Sequence, residues 1–131
     1  MTRAVLYKDA HDRFTGFSVK GHSGYAEEGS DIVCAAVSIL TTTCINALES
    51  VAGVTPAVEG GEDGHLAASL PRELSDACDH DAQVLFKALH QGLSDLAETC
   101  PGYFKLSIQK RREIPWQHPR KSTTKSGQTC W

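Results

Sequence analysis

At 131 residues the chain is sized for one domain, and its 40% hydrophobic and 22% charged residues are ordinary for a globular protein. The longest uncharged run, residues 32–48, reads as too short and too rich in Thr, Ser and Asn to cross a bilayer. The N-terminal MTRAVLYKDAHDRF scatters charges where a secretory signal needs an unbroken apolar stretch, so no membrane segment or export is expected and the protein is placed in the cytoplasm.

The formal charge of −3 divides unevenly: residues 110–131 carry net +5 and the first 109 residues net −8, an acidic body with a basic tail. Five cysteines (Cys34, Cys44, Cys78, Cys100, Cys130) include no CxxC pair. They read as reduced thiols rather than as a disulfide framework or a zinc ribbon.

In chain order, residues 3–8 (RAVLYK) and 14–20 (FTGFSVK) predict a β-hairpin, with Phe17 and Val19 on one face. A glycine-rich loop, 21–29, follows, and Ser30 or Asp31 is placed to cap a helix. Val33, Val37, Leu40, Cys44 and Leu48 recur at steps of four and three, and Ile32, Ala36, Ile39 and Thr43 form a second stripe beside them. A helix without charge for about four turns is expected to be covered by the sheet, by another helix or by a second subunit. Gly53 is positioned to end it.

Strands are expected at 54–59 and 65–70 around a turn containing Gly60, Gly61 and Gly64. A second, amphipathic helix follows from Ser75 or Asp76 through Cys78, Ala82, Leu85, Leu89, Leu93 and Leu96, stopping near Pro101. Residues 103–110 (YFKLSIQK) alternate as a last strand. The order β-β-α-β-β-α-β without repeated βαβ units predicts an α+β domain, a mostly antiparallel sheet with two main helices, over residues 1–112. Residues 113–131 read as a mobile basic tail. Cys44 and Cys78 fall on apolar helix faces, where a free cysteine behaves as a small buried hydrophobe.

The chemistry is concentrated in GHSGYAEEGSDIVCAAVS, residues 21–38. With Asp31 as N-cap, Cys34 is the third helical residue, where unpaired N–H groups and the helix dipole favour a thiolate. His22, returned by the glycine-rich loop, is able to exchange the thiol proton, and the pair is the minimum for acyl transfer by a cysteine enzyme. Free N–H groups at the helix start are candidates for an oxyanion site. Ser38 lies one turn beyond Cys34 on the same face, and Asp31 is read as a capping residue first. A metal set drawn from His22, Cys34, Asp79, His80 and Asp81 has no compact ligand spacing, and no metal or cofactor is called for. No phosphate loop or serine elbow is present.

The same eighteen residues resemble the signature of the ribosomal-processing cysteine proteases, in which a His follows a Gly and a Cys stands twelve residues later in a D-I-V-C-A-A-V-S helix start. The element order over residues 1–112 is also similar to that family. The resemblance implies a homodimeric endopeptidase that removes a short N-terminal extension from large-subunit ribosomal protein twenty-seven. It implies Cys34 as nucleophile, His22 as base, Asp31 and Ser38 as supporting polar positions, and Gly21 as hinge of the loop. An extension with apolar and aromatic residues before a small one implies an apolar groove beside Cys34.

Ser23 stands where the family pattern often has Ala, and the tail from Glu113 is an addition to it. Three roles stay open for that tail: a basic arm on ribosomal RNA, an occupant of its own active-site loop, or an inert extension. The alternative to an enzyme is a ribosome-associated assembly or binding protein on the same fold.

Overall fold

The computed structural model describes residues 1–21, 30–62 and 65–111. Its elements are β1 (Thr2–Lys8), β2 (Phe14–Lys20), α1 (Ser30–Ser50), β3 (Ala57–Glu62), β4 (His65–Ser69), α2 (Asp76–Thr99) and β5 (Phe104–Lys110). The strands form one sheet in the order β3-β4-β2-β1-β5. The α+β expectation and the element order hold.

Three neighbouring pairs are antiparallel, as expected, but β5 lies parallel to β1. The reason is the connection. A helix between β4 and β5 carries the chain back to the end where β4 began, so β5 enters the sheet in the direction of β4 and β1.

Alternation decides which face of the sheet is covered. Thr2, Ala4 and Leu6 are buried on β1, and their register places Val19 beside Ala4, Phe17 beside Leu6 and Phe104 beside Thr2. The Phe86 ring of α2 closes over this face, 5.7 Å from Phe14 and 6.3 Å from Phe17 between centroids. Val33, Val37, Cys44 and Leu48 of α1 belong to the same core. Of the predicted inward stripe, Leu40 is only partly buried and packs at the core's edge. Gly16 is required by the close approach of β2 and β4, because a Cβ there would lie 2.5 Å from the Ala68 carbonyl oxygen.

The second stripe of α1 is largely exposed among the described residues, with Ile32 68% and Ile39 64% exposed. Ile32–Ser50 has a mean hydropathy of 1.7 and is, by length and composition, long and apolar enough to cross a membrane, contrary to the sequence expectation. The residues counted as polar in that expectation, chiefly Thr and Ser, weigh little against its Ile, Val, Leu and Ala. Packing places this helix otherwise: Val33 and Leu48 are fully buried in the core shared with the sheet.

The helix ends largely follow the sequence. Gly53 takes φ 69° just beyond α1, and Val54 N–H donates to the Leu48 carbonyl at 2.8 Å. Ser75 caps α2 by accepting from Cys78 N–H at 3.1 Å. Two boundaries move. Gly60 and Gly61 lie inside β3, at φ 85° and 105°, where the β3–β4 register shifts as in a bulge, rather than in the turn that follows. α1 begins at Ser30, so neither Ser30 nor Asp31 precedes the helix as its cap.

The β1–β2 turn is bolted to the start of α2. Asp9 Oδ1 accepts from His11 and Arg13 N–H groups at 2.8 and 3.0 Å, and the Arg13 guanidinium spans Asp9 (2.7 Å) and Asp79 (Nε to Oδ2, 2.9 Å). Hydrogen bonds from Arg13 hold the Asp79 carboxyl below the usual carboxylate range, and Asp79 in turn holds the guanidinium proton more firmly. Partial burial acts to raise the Asp9 pKa, but the two N–H groups and Arg13 outweigh it and lower it. Gln83 adds a reciprocal pair with the Phe14 backbone, both bonds at 2.8 Å.

Candidate active site

Three chain segments converge at the opposite end of the sheet: the start of α1, the start of β1 and the end of β2. Cys34 is the fifth residue of α1, not the third, so it lies one turn inside the helix. Its own N–H is therefore an intrahelical donor, and the free N–H groups belong to the turn before it. Helical Cα–Cβ bonds tilt toward the N-terminus, which aims the side chain back over that first turn. The expected oxyanion donors, the free N–H groups of the helix start, accordingly lie in the turn beneath the Cys34 sulfur.

The Cys34 thiol is half-buried, and its Sγ is 3.5 Å from Thr2 Oγ1 at the first position of β1. Thr2 is 3% exposed and held from the β5 side: its N–H donates to the Tyr103 carbonyl at 3.1 Å, and it is in register with Phe104. The β1–β2 ladder closes at Arg3 opposite Lys20. Gly21, half-buried, follows Lys20 directly and so leaves the sheet beside Thr2. His22 lies outside the described residues, as do the Asp31 side chain and the tail 113–131.

Ser38 sits one turn along α1 from Cys34 and is exposed. Among the described residues the thiol's side-chain hydrogen bond goes to Thr2 and none joins Ser38 to Cys34. The Ser38 carbonyl accepts from Thr41 Oγ1 at 3.3 Å. The structure therefore brings Cys34 and the Gly21 end of β2 to one corner, with Ser38 as a neighbour on the helix surface rather than a partner.

Sequence reasoning missed Thr2. The alternation Thr2, Ala4, Leu6 placed a hydroxyl on the inward face and so demanded a partner for it. The partner, 32 residues away on a helix, was not readable from spacing.

The remaining cysteines differ. Cys44 is buried, and burial pushes its thiol up to about 12. Cys100 is a half-buried free thiol at the end of α2. Cys78 is buried as expected but is disulfide-bonded rather than a free thiol. Cysteine count and local spacing carry no information on which distant positions folding brings within bonding range, which is why the reduced reading fails there. Among the described residues no group of three or more His, Cys, Asp and Glu is placed to hold a metal. Asp79 is engaged by Arg13, and His80 meets Asp81 at the exposed surface, 3.2 Å apart.

A half-buried thiol near a helix start, beside the strand end that carries Gly21, is the frame of a cysteine-nucleophile enzyme. Residues 1–105 match the family model described as cysteine protease Prp. The ribosomal processing cysteine protease Prp of Bacillus subtilis (strain 168) is 33% identical over 90 residues, covering 68% of this chain and 80% of that protein. The crystal structure of SMU.848 from Streptococcus mutans superimposes with TM-score 0.74 at 31% identity, covering 85% of this chain and 96% of that one. Prp from S. aureus, solved with a substrate peptide, has TM-score 0.73 at 20% identity over 82% of this chain and 99% of that one. The chain belongs to the cysteine protease Prp family and is a cysteine protease.

Proposed function

We propose that the protein is an endopeptidase that removes an N-terminal extension from a large-subunit ribosomal protein, number twenty-seven, with Cys34 as nucleophile and His22 as general base. The observation that carries this reading is the placement of the Cys34 thiol at the corner where β2 gives way to Gly21, the residue to which His22 is directly bonded. The name of the Bacillus subtilis relative, a ribosomal processing protease, supports the substrate class.

In this reading His22 takes the thiol proton and Sγ attacks the scissile carbonyl carbon, giving a tetrahedral oxyanion. Free N–H groups of the first turn of α1 face that oxyanion. Collapse breaks the C–N bond, His22 returns the proton to the leaving amine, and a thioester remains on Cys34. Water, deprotonated by His22, then attacks the thioester carbon and releases the carboxylate product and the thiol. Gly21 serves as the hinge of the loop. Asp31 and Ser38 are assigned supporting polar roles, Asp31 setting the field at the helix start and Ser38 hydrogen-bonding incoming peptide from the exposed face.

The exposed stripe of α1, with Ile32 and Ile39, supports two further assignments: an apolar bed for the extension near Cys34 and a homodimer interface along the rest of the helix. The acidic body and the basic residues of 113–131 suit a cytoplasmic protein working on ribosomal components, with the tail available to ribosomal RNA.

The test is cleavage of a synthetic peptide copying the host ribosomal protein's N-terminus. Wild type is expected to cut it once, ahead of the mature start, and Cys34→Ala to leave it intact. Cleavage by Cys34→Ala at the wild-type rate would remove the assigned nucleophile. For the dimer, light scattering at micromolar concentration is expected to give twice the chain mass, and Ile39→Glu a monomer; a monomeric wild type contradicts the interface.

A further inference from the structure

Thr2 is a buried hydroxyl whose side-chain hydrogen bond, among the described residues, goes to one group, the sulfur of Cys34, at 3.5 Å. It is 3% exposed, which takes it out of reach of bulk water. A buried hydroxyl left without a partner costs on the order of 1–3 kcal/mol, so the Thr2–Cys34 contact is one the fold has reason to keep. Its backbone has little freedom to drift, because the N–H is bonded to Tyr103 and the residue is in register with Phe104 on the neighbouring strand.

We propose that Thr2 is a positioning residue for the reaction: from the rigid start of β1 its hydroxyl fixes the rotamer of Cys34 and donates to the sulfur once the thiol proton has left. The proposal rests on the reading of Cys34 as nucleophile. In the resting thiol either atom can be the donor. In the anion the sulfur has only lone pairs to offer, so the hydroxyl must turn to donate, and a hydrogen bond to a charged acceptor is stronger than a neutral one. As the sulfur bonds to the carbonyl carbon its charge passes to the substrate oxygen and the interaction weakens. The gain therefore lies in aim and in the supply of anionic sulfur, and not in the later hydrolysis of the thioester.

The position is built for this. Cys34 is on a helix and Thr2 on a strand, so the nucleophile is braced by a second element across the helix–sheet interface rather than by its own turn. Such bracing is what keeps a reacting atom within a fraction of an ångström of its attack geometry.

The test uses the full chain with Thr2→Val, which keeps the shape and deletes the hydroxyl, and Thr2→Ser, which keeps the hydroxyl. Two readouts are taken on each: cleavage of the synthetic ribosomal-protein peptide, and the rate at which iodoacetamide alkylates Cys34 at pH 7, followed by peptide mass mapping. Thr2→Val is expected to lower kcat about tenfold, equivalent to ~1.4 kcal/mol, with KM within about twofold. Its alkylation of Cys34 is expected to slow several-fold and its thermal midpoint to stay near that of wild type. Thr2→Ser is expected to recover most of both rates. Wild-type rates in Thr2→Val, or a Thr2→Ser variant no faster than Thr2→Val, would overturn the proposal while leaving Cys34 as nucleophile. Undiminished cleavage by Cys34→Ala would overturn the nucleophile and this proposal with it.

Discussion

Cys34 and Cys44 stand on the same helix and differ in almost everything that governs thiol chemistry. Cys34 is half-buried near the start of α1, over the first turn's free N–H groups and against the Thr2 hydroxyl. Cys44 is buried at 6% exposure among Val37, Leu48 and the rest of the core, with its thiol pushed up to about 12. The first environment offers access and a hydrogen-bond partner, and the second withholds water from any charge the sulfur would carry. Location along one helix thus separates the proposed nucleophile, half-buried and hydrogen-bonded, from a packing cysteine without any difference in residue type.

The contrast can be broken most sharply by exchanging the losses. Cys34→Ala is expected to reduce peptide cleavage by at least about 10³-fold with the thermal midpoint nearly unchanged, whereas Cys44→Ala should keep kcat within about twofold and lower stability by roughly 1 kcal/mol. Equal losses of activity in the two variants would end the distinction.

Next in size is the core itself. Leu48→Ala, at a fully buried position one turn beyond Cys44, should cost about 3 kcal/mol in chemical denaturation while leaving kcat unchanged at temperatures where the variant is folded. A fall in kcat with little loss of stability would mean that the far end of α1 communicates with the site.

The smallest effect concerns the Arg13–Asp79 contact at the other end of the sheet. Asp79 has its folded pKa lowered, so its contribution is present above the unfolded value near 3.8 and is lost as pH falls through the lower folded value. Arg13→Gln should remove about 1 kcal/mol at neutral pH, a modest figure because the pair is partly exposed and screened. Below about pH 4 the gap between the two proteins should close. A gap that widens in acid would contradict the sign of the shift.

Much of this was legible in the residues. The steps of four and three in α1 located its buried stripe, Phe17 and Val19 shared a face as strand alternation requires, and Ser75 capped α2. Local rules worked where the deciding contacts are local. They failed where contacts are distant: the parallel docking of β5 follows from the α2 crossover, the disulfide at Cys78 from tertiary proximity, and the Thr2–Cys34 contact from packing of helix on sheet. The start of α1 at Ser30 was missed for another reason: Ser30 and Asp31 are good caps and also tolerable first-turn residues, so composition alone does not choose between the two positions. The candidate nucleophile was visible in the sequence; its brace was not.

The most direct test of the central claim is to treat the wild-type protein with a chloromethyl ketone built on the ribosomal-protein cleavage peptide and map the adduct by mass spectrometry. One adduct is expected, on Cys34, formed in step with loss of cleavage activity and prevented by excess substrate peptide. Inactivation with Cys34 unmodified, or an adduct spread equally over Cys34 and Cys100, would contradict it.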